Sequence, residues 1–274
     1  MKVTIIITNY NKAEYLKESI DSALNQKYNE FDVLIIDDGS TDESKKIIET
    51  YRNEVRVEIY YQENQGVIKT RNKAISLAKG AYVLQLDGDD KIGENFLSLT
   101  VPILENQKEI GIVFCKTELF GEKSGVWERG AYNLTNQLTA NLIVITALFR
   151  KSDFNKTAKY RSEFQKGLED WDVWLSILEL GLKAKEIPEI EFFYRVLNQG
   201  RNHSYDINQE KELKKMIFKV HSEFYIKNGL DSTNLLWEIR KLENKIKDLS
   251  LATESLEYRL GRLFLKPFRK LKNK

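Results

Sequence analysis

The chain has 274 residues, 42% of them apolar and 31% charged, which fits one large soluble domain or one domain with an appendage. Its net charge is +2, but residues 259–274 hold seven basic side chains and no acid; the rest carries 36 basic against 41 acidic residues, about −5, which argues against a nucleic-acid-binding face. A single cysteine excludes an intrachain disulfide and suits a reducing compartment. No apolar run approaches the ~18 residues of a membrane span. The N-terminus enters strand-like sequence without a secretory signal, so the expectation is a cytoplasmic chain.

Val3–Thr8 is a β-branched apolar run and a predicted first strand. Asn11 and Glu14 have capping-box spacing ahead of a helix carrying Tyr15, Leu16, Ile20 and Leu24. Phe31–Asp37 is a second strand, ending in Asp37-Asp38-Gly39, after which Ser40 or Thr41 caps a helix with Ile47, Ile48 and Tyr51. Val55–Tyr61 is a third, alternating strand. Gln65-Gly66 turns into a helix closed by Gly80. A strand into Asp87, a helix from about Gly93 to Asn106 and a strand over Ile110–Cys115 follow, with Cys115 read as a packed thiol. Strand and helix alternating at this spacing predict βαβ units, a mostly parallel sheet and helices on both faces.

After Cys115 the rhythm breaks. Phe120–Tyr132 reads as loops or edge structure, Leu142–Arg150 as a strand or buried helix, Gly167–Leu180 as a helix and Glu191–Val196 as a strand. Asn198–His203 is a polar loop. A helix is predicted from about Ile207 to Asn228, stopped by Gly229, with His221 structural. From Leu235 to Leu263, apolar residues alternate spacings of four and three, a heptad seam that favours a homodimer over a helix folded back. Over 259–274 the stripe continues with only basic charges, the pattern of a helix on an anionic membrane surface, kinked at Pro267.

The chemistry concentrates at Leu84–Asp90, LQLDGDD. A buried strand ends in Asp87, Asp89 and Asp90, with Gly88 for a tight turn. Asp87 and Asp89 are expected to converge outside the sheet, where repulsion calls for a divalent cation, Mg²⁺ or Mn²⁺, with a phosphate beyond it. Thr8-Asn9-Tyr10, Asp37-Asp38-Gly39-Ser40, Asn64-Gln65-Gly66 with Arg71-Asn72, and Asp87-Gly88-Asp89 would all line one sheet edge.

That set, in that order and spacing, resembles the inverting glycosyltransferases of family 2, built on the Rossmann-like GT-A fold. The resemblance spans roughly residues 3–205, followed by a helical connector over 206–231 and a coiled-coil extension over 232–274. It implies that Thr8 and Tyr10 form the floor under a nucleotide base, that Asp38 bonds the base edge, and that Arg71 packs near base and pyrophosphate. Asp87 would face the ribose and Asp89 ligate the metal. Glu169-Asp170-Trp171-Asp172 resembles the family's acidic motif, making Asp170 the catalytic base, kept ionised by a helix N-terminus. Trp171 and Trp174 are candidates for an acceptor cleft, though Trp174 fits the core better. Tyr194-Arg195 and the following loop resemble the segment that closes over the diphosphate, with Arg195 and His203 as its candidate ligands. The implied partners are a nucleotide-sugar donor, most simply UDP-linked, and a glycan or lipid-linked acceptor of the cell envelope. Two other classes compete. A nucleotidyltransferase on a related fold would need a Gly-rich loop where TNYNKAEY stands. A non-catalytic membrane scaffold would leave the acidic set without a role.

Overall fold

The structure is a computed structural model and describes residues 2–197 and 207–254. They divide into two compact units, Met1–His221 and Ser222–Lys274. In the first unit, β1 (Val3–Asn9), β2 (Phe31–Asp37), β3 (Val57–Tyr61) and β4 (Tyr82–Asp87) form a parallel block in the order β3-β2-β1-β4. Every residue of β2 is buried, because helices cover both faces of the sheet; this is why the strands are continuously apolar. The register sets Thr8 opposite both Ile36 and Asp87, and Asn9 opposite Asp37. The predicted motif residues therefore reach one carboxyl edge together.

Helices α1 (Ala13–Leu24), α2 (Ser44–Glu49), α3 (Val67–Leu77) and α4 (Phe96–Asn106) connect and flank this block. Beyond β4 the expected mostly parallel sheet becomes mixed. The remaining strands are β5 (Lys91–Ile92), β6 (Ile110–Gly121), β7 (Gly125–Val126), β8 (Leu148–Arg150) and β9 (Lys183–Val196). β8 runs antiparallel between β4 and β6, β9 parallel to β6, and β5 antiparallel to β9. β9 begins eight residues before the predicted Glu191 and follows β6 along its whole length through several bulges. Its polar start hides it from a hydrophobic-pattern reading.

The predicted caps are replaced by one residue. Asn11 takes a left-handed conformation (φ 53°), and its Oδ1 accepts from Thr41 N at 2.8 Å, so no capping box forms with Glu14. Asp42 instead accepts from Ala13 N (2.9 Å) and Ser44 N (3.0 Å), serving the starts of α1 and α2 where Ser40 or Thr41 was expected. Helix α3 stops at Leu77, before Gly80. Gly80 is needed for a close approach, since a Cβ there would lie 2.5 Å from Thr4 N.

The rest of the unit comprises α5 (Leu134–Thr139), α6 (Lys151–Phe154), α7 (Glu169–Glu179) and α8 (Ile207–Val220). Trp174 of α7 is fully buried edge-on to Phe149, which also packs on Phe154. Cys115 is buried, and burial pushes its thiol up to about 12, as a packed thiol requires. The single helix expected over 207–228 breaks at His221, whose imidazole is tied to Asp172 and Glu179 of α7. α9 (Ser222–Lys227) and α10 (Ser232–Glu254) belong to the second unit. On α10 the seam residues Ile239, Leu242, Ile246 and Leu249 are exposed. His203, the seam beyond Glu254 and the basic tail lie outside the described residues. No described helix is long and apolar enough to cross a membrane.

Candidate active site

The site is built at the carboxyl edge of β1, β2 and β4. Thr8 Oγ1 donates to Asp87 Oδ1 at 3.1 Å, and Asn9 Nδ2 to Asp37 Oδ2 at 2.7 Å. Asp38 is buried and accepts from Gln62 Nε2 (2.7 Å), Gln65 N (2.9 Å) and Gly66 N (2.9 Å). It thus moors the loop that launches α3. Tyr10 stands at the same edge and is 48% exposed.

From α3, Arg71 reaches into the interior and is 3% exposed. Its Nη2 donates to both oxygens of Asp87 (2.8 and 3.1 Å) and its Nη1 to Glu169 Oε1 (2.8 Å). Burial penalises the charge, but Asp87 and Glu169 outweigh it and hold the guanidinium protonated. The pair joins the strand edge to the start of α7.

The turn after β4 is held from two sides. Gly88 is required because a Cβ would lie 2.9 Å from Asn9 Oδ1. Asp89 Oδ2 meets Lys12 Nζ at 2.5 Å. Asp90 is buried and accepts from Arg195 N at 2.8 Å, while Arg195 Nε donates to the Asp89 carbonyl at 2.8 Å. The Arg195 guanidinium lies between the rings of Tyr15 (4.4 Å) and Phe120 (4.2 Å) and pairs with Glu18. β9 therefore clamps the acidic turn. Burial raises the Asp90 carboxyl well above its usual range, and the charges of Asp89 and Asp87 add to this.

Asp87 and Asp89 were expected to converge on one point; in the fold each faces a cation of its own, Arg71 and Lys12. Among the described residues no three His, Cys, Asp or Glu side chains form a ready metal cage. The donor set still fits a hard divalent ion. Lys12 is a stand-in cation on Asp89, and ions that bind substrate phosphates need only one or two protein carboxylates.

Asp170 sits in the first turn of α7. Its Oδ1 accepts from Trp171 N (2.8 Å) and its Oδ2 from Asn141 Nδ2 (2.9 Å). The helix start was expected to keep it ionised at ordinary acidity. Burial, then the neighbouring Glu169, raise its pKa, outweighing the Trp171 N–H and the more distant Arg129 and Arg71. Trp171 is buried with its Nε1 donating to the Gln137 carbonyl (2.8 Å), and Trp174 is core, so neither lines an open cleft. The sequence singled out neither Lys12, Glu169 nor Asn141. Glu169 alone had a signal, as the first acid of its motif.

Residues 4–163 match the profile described as "Glycosyl transferase family 2". The chain is 27% identical over 271 residues to the hyaluronan synthase of Pasteurella multocida, covering 89% of this chain and 28% of that protein. It is also 27% identical over 244 residues to the Escherichia coli UDP-Glc:alpha-D-GlcNAc-diphosphoundecaprenol beta-1,3-glucosyltransferase WfaP, covering 83% and 94%. The chain therefore spans well under two thirds of the first of these relatives and nearly all of the second. Among solved structures, Staphylococcus aureus TarS 1–349 in complex with UDP-GlcNAc superposes with a TM-score of 0.63 at 20% identity, over 80% of this chain and 66% of that one. That likeness shows the GT-A type of fold. By the match over residues 4–163, more than half of its length, the chain belongs to glycosyl transferase family 2.

Proposed function

We propose that the chain is a metal-dependent, inverting glycosyltransferase that moves a sugar from a nucleotide-sugar donor to a hydroxyl of an envelope glycan or lipid-linked acceptor. The observation that carries this reading is the run of contacts Thr8–Asp87–Arg71–Glu169, which sets the base candidate Asp170 at the end of the same line of residues as the acidic turn. Tyr10 offers an exposed ring to a base face, and Asp38 holds the loop beside it. Asp87 faces the ribose and Arg71 fixes its orientation. Mn²⁺ or Mg²⁺ at Asp89 would neutralise charge on the departing diphosphate. Arg195 keeps the Asp89 turn in shape.

Asp170 takes the proton of the acceptor hydroxyl as its oxygen bonds to the anomeric carbon. The bond from that carbon to the nucleoside diphosphate breaks on the opposite face, so one displacement inverts the centre. A carboxylate with a raised pKa is a stronger base than a solvated one. The UDP-sugar donor and lipid-diphosphate acceptor named for the WfaP relative support the same classes here.

The exposed seam on α10 is the reading's dimer interface, and the basic 259–274 segment its contact with the inner face of an anionic membrane. Sedimentation of the full chain and flotation with anionic vesicles test these two parts. The reaction itself is tested by a thermal-shift screen of nucleotide sugars with and without Mn²⁺. One nucleotide class should raise Tm only when the metal is present; no shift with any of them would refute the reading.

A further inference from the structure

Arg129 differs from the other arginines of the first unit. Of the seven described there, six lie within 4.0 Å of a carboxylate, and Arg129 does not. Its guanidinium lies 4.4 Å from the ring centre of Trp127, and that ring packs 5.2 Å from Tyr194. Its Nη2 donates to the carbonyl of Asn141. Its Nη1 is buried without a hydrogen-bond partner. Burial pulls its pKa below the ordinary arginine value, with only partial relief from Asp170 and Tyr194. A partly buried cation with one buried, unpartnered nitrogen is costly to keep unless something supplies the missing partner and charge.

Its position says what that would be. Asn141 accepts from Arg129 with its carbonyl and donates to Asp170 with its side chain, so Arg129 stands one residue from the base. Arg129, Trp127, Tyr132, Thr117, Phe114 and Glu186 line a cavity of about 330 Å³. Of its other charges, Glu128 is exposed and Glu186 is partly offset by Lys116. A sugar hydroxyl could fill the empty donor position but would leave the charge unmatched; an oxyanion does both, and a flat guanidinium held on an indole presents the fork that carboxylates and phosphates fit.

We infer that Arg129 forms a subsite for an anionic group, a carboxylate or phosphate, carried by the acceptor, and so makes the enzyme selective for acidic acceptors. The inference rests on Asp170 being the base. The test uses the full chain with UDP and Mn²⁺, titrated with methyl glucuronide, glucosyl phosphate and methyl glucoside, alongside transfer to uronate-ended and neutral oligosaccharides. One or both anionic probes should bind at least about tenfold tighter than the neutral one, the carboxylate and phosphate arms telling the two sources apart. Arg129→Gln should erase that preference and raise KM for the acidic acceptor far more than it lowers kcat. Arg129→Lys, which keeps charge but not the fork, should retain part of it. Equal binding of all three probes, no detectable binding of the anionic ones, or a preference that survives Arg129→Gln would overturn the inference. So would an equal loss of kcat on acidic and neutral acceptors, the mark of a residue acting only through Asp170. That last outcome leaves the glycosyltransferase reading intact, whereas absence of any turnover would defeat that reading and leave the probe titrations to decide this one.

Discussion

Arg71 and Glu169 lie 98 positions apart and share a 2.8 Å ion pair, with side chains only 4% and 6% exposed. With the bonds from Arg71 to Asp87, that pair connects the carboxyl edge of the sheet to the helix that carries Asp170. Removing Arg71 takes away the cation that these two carboxylates share. Arg71→Met should therefore cost about 3–5 kcal/mol of stability, read as a shifted urea midpoint with an unchanged slope. A cost within the range of a surface pair would mean that the other partners of Asp87 and Glu169 suffice to hold them.

At the proposed metal site, Lys12 competes with a divalent ion for Asp89. The pair is partly exposed, with side chains 32% and 17% accessible, so its attraction is small. Lys12→Met should tighten Mn²⁺ binding in the presence of UDP by about two- to fivefold, measured by electron paramagnetic resonance. Asp89→Asn should abolish that binding. Weaker binding in Lys12→Met would show that the lysine grips the diphosphate instead.

As the proposed base, Asp170 works only when ionised. Its raised pKa places the acidic limb of the rate profile above the ordinary carboxylate range, with activity lost as pH falls through it. Asn141 Nδ2 stabilises the ionised form at 2.9 Å. Asn141→Ala should raise the pKa further and move that limb to higher pH. A limb that stays in place would remove Asn141 from the base's environment.

His221 bridges Asp172 (2.9 Å) and Glu179 (2.7 Å). Burial lowers its pKa, but these carboxylates outweigh burial and hold it above its ordinary 6.5. The folded state therefore favours the charged ring. Its contribution to stability is complete below 6.5 and is lost as pH rises through the raised value. His221→Gln should destabilise by about 1–3 kcal/mol in mildly acidic buffer and by less in alkaline buffer, by denaturant titration at both. A pH-independent loss would point to packing alone.

Much of this site was legible because its elements follow simple rules. β1, β2 and β4 are covered on both faces, so their apolar runs announce them, and parallel register carries Thr8, Asp38 and Asp87 to one edge. What was hidden depends on long-range partners. Asn11 looks like a cap, but its side chain serves Thr41 and Asp42 caps both helices. Lys183 and Glu186 disguise the start of β9 because their strand is set by pairing with β6. Arg129 lies in a Gly- and charge-rich stretch without periodicity, and only the folded chain brings it beside Asn141. The raised pKa of Asp170 was not legible, because a helix N-terminus is visible in sequence whereas burial beside Glu169 is not.

The most direct measurement is release of nucleoside diphosphate by wild type and Asp170→Asn, from the nucleotide sugar that stabilises the chain, with nucleotide binding followed in parallel. The account predicts a fall of about a hundred- to ten-thousand-fold in turnover, with binding of nucleotide and Mn²⁺ retained. A variant that turns over like wild type would contradict it.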